Sequence, residues 1–188
     1  MKTYSTLLFN GALHRFALAL LPGLLCLNLL AACSKKSDDS PTPAPSGTVT
    51  WTNNGTTYTS TLSASAVQDS DTSLLITGSS ADMKNIVSLR LRRIYKTGPG
   101  VYQLLKGSGL AANTNNIGVL TLNSTAVYNT LYGPTNPSNG AATVSQYDRT
   151  GQKVAGTFFF NAGGLANTPA AGGTQSVTNG SFSFTGFR

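Results

Sequence analysis

Few side chains in this chain can perform acid–base, nucleophilic or metal chemistry. There is one histidine, His14, there are two cysteines, Cys26 and Cys33, and all six acidic residues are aspartates. Because the histidine and both cysteines lie within the first 33 residues, the rest of the chain cannot form a Ser-His-Asp or Cys-His arrangement. It also lacks the usual zinc ligands and a histidine base near neutral pH. We therefore expect a non-enzymatic protein with no metal and no cofactor.

The aspartates give the one remaining route to catalysis. Asp69 and Asp71 stand two residues apart in the serine-rich stretch 68–73, and alternate oxygen side chains suit a hard cation such as Ca²⁺. The stretch is too short for a calcium-binding loop, and aspartate is common in turns. Structural turns are the favoured interpretation, both there and at Asp148. An Asp-dependent hydrolase, which needs two carboxylates facing one bond, is the alternative.

The first 32 residues have the layout of a secretory signal peptide. A positive segment ending at Arg15 precedes the apolar residues 16–30, and the tetrapeptide LAAC occupies residues 30–33. This order is typical of an exported protein, and small residues followed directly by a cysteine resemble the site cut by lipoprotein signal peptidase. The apolar run is short for a membrane span and Pro22 interrupts it, so a retained helix is the weaker interpretation.

Cys33 is the predicted lipidation site. A cysteine thiolate readily takes a thioether-linked diacylglyceride, and two or three acyl chains anchor a protein stably. Cleavage would remove Cys26 together with residues 1–32, leaving a lipidated cysteine and linker over 33–46 and a disulfide-free domain over 47–188. The membrane is thus the expected partner of the anchor at Cys33.

Residues 34–46 are predicted to be a flexible Ser/Pro tether. They include three prolines and no large apolar residue, so they cannot join a core. Extended at about 3.1 Å per residue, the tether reaches roughly 40 Å. Within it, Lys36-Ser37-Asp38-Asp39 resembles the surface-export signal of Bacteroidota lipoproteins, with only two acids. The protein is expected at the outer membrane, on the cell surface or the periplasmic face.

Arg90, Arg92, Arg93 and Lys96 form the only charge cluster of the domain, which from residue 47 has nine basic and four acidic residues and a net charge of +5. An exported protein rarely meets nucleic acid, so anionic polysaccharide or lipid headgroups are the available partners. Because Arg90 and Arg92 alternate with leucines, a solvated strand face is the favoured interpretation. A ligand-binding basic patch is the alternative.

Exposed aromatic side chains can stack on sugars. Tyr128 and Tyr132, beside a Gly-Pro turn, are the candidate ligand-binding pair. Phe158 and Phe160 alternate as in a core-facing strand, which leaves Phe159 either packed in a second layer or exposed. A polysaccharide is therefore one candidate partner, and another envelope protein is the second.

Alternation of apolar and polar residues, rather than helical periodicity, runs through the domain. Asn54-Gly55 predicts a hairpin between residues 48–52 and 56–59, and the turn 148–151 predicts a second between 142–147 and 153–161. Further strands are predicted at 73–77, 87–91, 101–105, 118–122, 126–128 and 181–187, with loops at 129–139 and 162–173. Strands without intervening helices predict one all-β domain, an antiparallel β-sandwich or a small barrel or meander.

Several segments together carry a resemblance to a known family. These are the LAAC tetrapeptide, the turn 52–55, and the runs GVYQL at 100–104, VAGTFFF at 154–160 and VTNGSF at 177–182. They are similar to a family of uncharacterised small all-β lipoproteins of Bacteroidota, over nearly the whole mature domain. The resemblance implies an all-β fold and an envelope location. That family has no established activity and no catalytic residues to transfer.

Two hypotheses for function follow. The first is a lipid-anchored envelope protein that acts as a non-enzymatic binding or structural module, with a glycan or envelope polymer as ligand. The alternative is an accessory assembly or secretion factor that binds a protein partner through a strand edge. An exposed aromatic row would favour the first hypothesis, and a long unpaired edge strand would favour the second. Two aspartates converging in a deep pocket would favour an enzyme.

Overall fold

A computed structural model of the chain describes residues 46–61, 64–70, 72–107 and 114–187. The predicted signal peptide, Cys33 and residues 34–45 of the linker lie outside these ranges. The described residues form eleven strands: β1 (Gly47–Asn53), β2 (Thr56–Ser60), β3 (Ser65–Ser70), β4 (Ser73–Ser79), β5 (Ile86–Arg92), β6 (Gly100–Leu105), β7 (Ile117–Leu122), β8 (Ala126–Asn129), β9 (Ser138–Asp148), β10 (Lys153–Gly164) and β11 (Thr174–Thr185). One helical turn, α1 (Ile94–Thr97), precedes β6, and one 3-10 turn (Thr130–Tyr132) follows β8. The all-β prediction is confirmed.

Both predicted hairpins are present. Asn54 and Gly55 adopt positive φ angles of 50° and 75° between β1 and β2, as a two-residue hairpin turn requires. β9 and β10 pair from Asp148 opposite Lys153. The serine-rich stretch 68–73 differs from the prediction, because β3 continues to Ser70 and β4 begins at Ser73. α1 was not predicted, since four residues are too few to show a helical period.

The strands form one antiparallel sheet that branches at β10. The main path runs β2-β1-β11-β10-β8-β7-β5-β4-β3, while β9 pairs with β10 and with β6. Along one edge β10 pairs with β11, and along the other it pairs first with β9, as far as Phe160, and then with β8, at Gly163 and Gly164. β10 therefore joins the β6–β9 pair to the main sheet.

The sheet curls around a single hydrophobic core, like half a barrel. β2 and β3 lie at opposite ends of the path, yet only residues 61–64 connect them. The curl brings β4 against β1, and a Cβ atom at Gly78 would lie 2.6 Å from Cβ of Val49. The largest fully buried side chains are Trp51, Phe160, Phe184, Leu74, Ile76, Leu89, Leu91, Ile94, Leu104, Leu120, Leu131 and Val49.

Candidate functional site

The outer surface of β10 exposes a large aromatic side chain at its centre. Phe158 and Phe160 are buried, whereas Phe159 between them is 57% exposed. The alternation follows from the period of two in a strand. On one side Phe159 pairs with Ala141 of β9. On the other side β11 has a bulge, since Phe158 and Phe160 pair with Gly180 and Val177. Bulges are frequent beside functional sites because they redirect the strand.

The side chains around Phe159 are exposed and uncharged. We call this surface the β10 face; it consists of Val101, Gln103, Tyr132, Thr143, Thr157, Phe159 and Asn161. Cross-strand pairing sets its rows, because Thr157 lies opposite Thr143, which lies opposite Val101. Amides and hydroxyls that flank an exposed ring can hydrogen-bond to a ligand stacked on that ring. Val101 and Tyr132 on the same face are also large exposed side chains, 59% and 41% exposed, so this apolar surface is grouped rather than scattered singly.

Tyr132 lies at the far end of the β10 face. A Cβ atom at Gly163 would come within 3.1 Å of Cβ of Tyr132, so the 3-10 turn rests on the outer side of β10. Tyr132 is 41% exposed. Four residues separate Phe159 from Gly163, which is about 13 Å along a strand. Tyr132 therefore lies beyond Asn161 on the same side of β10 as Phe159.

A buried hydrogen-bond network holds the turn that carries Tyr132. The Asn139 side-chain amide donates to the Thr130 carbonyl at 2.8 Å, and its oxygen accepts from the Thr135 amide at 2.7 Å. The Thr130 hydroxyl accepts from the Gly118 amide at 3.1 Å, and the Asn129 side chain accepts from the Leu131 amide. Asn139 and Thr130 are both buried. The turn is thus fixed to β7 and β9.

Tyr128 does not lie beside Tyr132 on the surface. It is only 8% exposed and belongs to the hydrophobic core, and it is the one buried residue of the four in β8. The prediction that both tyrosines are exposed is wrong for Tyr128. Tyr132 is the exposed member of the pair. Phe159, which sequence analysis left undecided between a second layer and exposure, is the second exposed ring.

The predicted basic cluster divides into separate environments. Arg90 and Arg92 are half-buried on β5 and alternate with buried leucines. Arg93 is exposed and has a left-handed φ of 57°, which ends the alternation. Lys96 lies over the ring of Tyr95, with its Nζ 5.8 Å from the ring centre, and Arg149 lies 5.9 Å from the same ring.

Arg92 and Arg93 line an open polar cavity of about 360 Å³, which we call the β6 cavity. Its lining residues are Arg92, Arg93, Thr97, Val101, Tyr102, Leu105, Thr114, Asn115 and Asn116. None of these described lining residues is acidic. Ligand sites in proteins have volumes of about 300–1,000 Å³, so the cavity can hold a small ligand unit. Val101 belongs to both this cavity and the β10 face.

Two hydrogen-bonded side chains fix the walls of the β6 cavity. The Asn116 side-chain oxygen accepts from the Arg92 backbone amide at 2.7 Å, and its amide nitrogen donates to the Gln103 carbonyl at 3.2 Å. The Tyr102 hydroxyl donates to the Gly98 carbonyl. Burial raises the pKa of Tyr102, Tyr147 adds to the rise, and a hydrogen bond with Thr97 opposes it. The phenol is therefore a neutral wall group at physiological pH.

The comparisons with known proteins identify a family without assigning an activity. A family model described as a domain of unknown function (DUF6252) matches residues 46–184. The chain belongs to the DUF6252 family. No curated protein and no solved structure matches the chain.

Two described aspartates of this DUF6252 domain are tied into their own turns, whereas Asp69 lies in β3. Asp82 accepts hydrogen bonds from the Ser80 hydroxyl at 2.6 Å and the Lys84 amide at 3.1 Å, and these bonds lower its pKa, the Ser80 bond most of all. Asp148 accepts from the Gly151 amide at 2.8 Å. Asp71 lies outside the described residues. In the described part of the chain, no three His, Cys, Asp or Glu residues are grouped as metal ligands.

The terminal strands of the DUF6252 sheet bear on the strand-edge hypothesis. β2 and β3 end the main path and have five and six residues. The pairing of β3 with β4 is also irregular between Gln68 and Ser70. Short and irregular edge strands are the usual protection against pairing with another chain. The short terminal strands do not favour the strand-edge hypothesis, and binding of a protein partner through an edge stays a prediction. Among the described residues, no helix is long and apolar enough to cross a membrane.

Two groups of site residues were missed by sequence reasoning. The β6 cavity takes Asn115 and Asn116 from the segment that enters β7, and the polar run Thr114-Asn115-Asn116 was the available signal. Sequence analysis placed Tyr102 in the strand 101–105 and did not predict it at a cavity. Its place in the cavity depends on the turn at residues 93–99, which brings β6 back beside the end of β5 and which local sequence does not reveal.

Proposed function

We propose that this DUF6252 protein is a lipid-anchored envelope protein of Bacteroidota that binds a glycan, without catalysis, on its β10 face. The observation that carries the proposal is Phe159, 57% exposed at the centre of a face made of uncharged amide, hydroxyl and aromatic side chains. An aromatic ring offers a large rigid contact surface at a low cost in conformational entropy. Amides and hydroxyls beside it match the many donors and acceptors of a sugar.

The sequence supports the anchor and the location. The LAAC tetrapeptide at residues 30–33 closes an apolar segment of the length found within signal peptides, and the acids at 38 and 39 resemble a surface-export signal. The proposed anchor is lipidated Cys33 in the outer membrane, on the cell surface or the periplasmic face. A flexible tether lets the domain contact polymers of the envelope from either position.

A binding role is favoured over a hydrolytic one by the aspartates. Asp82 and Asp148 are each engaged within a separate turn, and neither lines the β6 cavity. Hydrolysis of a glycan needs two carboxylates across one bond. The β10 face offers contact surface and hydrogen-bonding groups instead, which suits recognition.

Substitution of Phe159 tests the proposal. Detergent-solubilised full-length protein is passed over resins that carry different polysaccharides, and affinity for the retained ones is then measured by titration. We expect Phe159→Ala to weaken binding about 10- to 100-fold, because burying a phenylalanine side chain contributes about 1.5–3 kcal/mol. Phe159→Trp, which keeps a ring, should retain binding.

Met83→Ala is the matched control, because Met83 is 61% exposed but lies on the turn between β4 and β5. It should bind like the unsubstituted protein. Retention of no polysaccharide, or equal affinity of the Phe159→Ala variant and the unsubstituted protein, would refute the proposed function.

A further inference from the structure

We infer that the β6 cavity binds the carboxylate of an acidic sugar unit, so that the glycan of the β10 face is a polyuronate. The inference rests on the proposed glycan binding and names the class of polymer. It begins from the chemistry of the lining, which combines two guanidinium groups, two carboxamides and hydroxyl groups.

The backbone at Arg93 places two consecutive arginines at one cavity. Successive residues of a strand point to opposite faces, so Arg92 and Arg93 would diverge if β5 simply continued. The left-handed φ of 57° at Arg93 ends that alternation, and both residues line the β6 cavity. A non-glycine residue in this conformation costs about 1–2 kcal/mol.

A guanidinium group suits the anionic group of an acidic sugar unit. Its planar fork of donors pairs with two carboxylate oxygens. Arg93 is exposed, and the described lining contains no carboxylate that would compete for it. The cavity is therefore a positive site that is open to an anion.

The remaining lining groups favour a sugar over a bare inorganic anion. Asn115 and Thr97 present an amide and a hydroxyl in the same cavity, and such groups hydrogen-bond to sugar hydroxyls. Asn116 cannot move freely, because it bonds both to the end of β5 and to β6. The volume of about 360 Å³ suits one ring with its substituents.

Val101 connects the cavity to the β10 face. It is 59% exposed, lines the cavity and stands in the row of Thr143 and Thr157. A chain stacked on Phe159 can therefore continue across Val101 and place an acidic unit beside Arg93. One polymer then contacts both surfaces.

The test compares polyuronates with their own methyl esters, which have the same backbone but no charge. Polygalacturonate, alginate and hyaluronate are each titrated in both forms against the full-length protein. We expect at least one acid form to bind about tenfold or more tightly than its ester, because a charged hydrogen-bonded pair is lost. Arg93→Gln should remove most of that difference.

Lys96→Gln is the matched control, since it removes the same charge from the same cluster but lies over Tyr95 outside the cavity. It should leave binding within about twofold, as expected of an exposed charge. Asn115→Asp, which adds a negative charge to the cavity, should weaken binding of the acid form and spare the ester.

Three outcomes would overturn the inference: equal binding of every acid and its ester, equal losses in Arg93→Gln and Lys96→Gln, or full displacement by 10 mM inorganic phosphate. If polysaccharides bind through Phe159 but acid and ester are equal, only this inference fails. If no polysaccharide is retained at all, the proposed function fails with it.

Discussion

Asn139 shows how a single buried amide positions part of the candidate site. It is 2% exposed, and its two hydrogen bonds, to the Thr130 carbonyl and from the Thr135 amide, hold the 3-10 turn that ends at Tyr132. Gly133 permits this approach, because a Cβ atom there would lie 2.4 Å from Cγ of Asn139. The position of an exposed ring thus depends on a residue that never reaches solvent.

Replacing Asn139 should weaken both the fold and the β10 face. Asn139→Ala removes two hydrogen bonds and leaves the Thr130 carbonyl only its 3.2 Å bond from the Gly133 amide, and each lost bond costs about 0.5–1.5 kcal/mol. Urea denaturation of the variant should show a lower midpoint with an unchanged slope. Asn129→Ala, which removes one bond of the same turn at a half-buried position, should lose less stability. Equal stability of Asn139→Ala and the unsubstituted protein would contradict this account of the turn.

Sequence reasoning resolved some residues of the site and not others. It named Tyr132 and the arginines, and the alternation around Phe158 and Phe160 left Phe159 as the residue of opposite parity. It could not separate Tyr128 from Tyr132, because β8 has only four residues and the 3-10 turn changes the direction of the chain between them. Short strands give too few alternations for the inward side to be assigned from sequence.

At the scale of elements, local signals predicted the hairpins and long-range pairing was not predictable. Asn54-Gly55 marks one turn through the φ angles that it allows, and Asp148 caps the other through its bond from Gly151. The branch at β10 has no such signal. β10 pairs with β9 along one part of its length and with β8 along the next, and this change of partner depends on contacts between distant segments. The same contacts set the position of the β6–β9 pair and therefore of the β6 cavity.

The β6–β9 pair should also set the alkaline limit of stability. Burial raises the pKa of Tyr102 on β6 and of Tyr147 on β9, and Tyr147 raises the pKa of Tyr102 further. Because the folded-state pKa values lie above the unfolded value of about 10, this stabilisation is fully present below pH 10. It is lost as pH rises from 10 through the folded-state values.

Thermal melting between pH 8 and pH 11.5 measures this effect. The melting temperature should fall above pH 10, and Tyr147→Phe should flatten the fall, because it removes one titrating group and its influence on Tyr102. Tyr95→Phe, which changes a tyrosine of α1 outside this pair, is the control variant. A melting temperature that stays constant to pH 11.5 would show that the stability of the fold does not depend on neutral side chains at Tyr102 and Tyr147.

At the scale of the whole molecule, the proposed anchor at Cys33 and the described domain are separate parts of the chain. β1 begins at Gly47, and the Thr185 amide donates to the Ser46 carbonyl at 2.9 Å, so the ordered sheet starts where the predicted tether ends. If residues 34–46 form the predicted tether, their extended reach of roughly 40 Å would let the β10 face meet a polymer away from the membrane of the proposed anchor. A change at the anchor should therefore leave the binding domain intact.

Cys33→Ser tests the anchor. Cells grown with radiolabelled palmitate should label the unsubstituted protein, and its mature chain should begin at residue 33 by mass spectrometry. In Cys33→Ser we expect no label and retention of residues 1–32, because a serine hydroxyl lacks the nucleophilic thiolate on which lipid transfer depends. Cys26→Ser is the matched control, since it changes the other cysteine within the segment that is cut away, and it should be labelled normally. Both variants should bind glycan with the affinity of the unsubstituted protein in detergent. Label on Cys33→Ser, or a mature chain that begins at any residue other than 33, would contradict anchoring at Cys33.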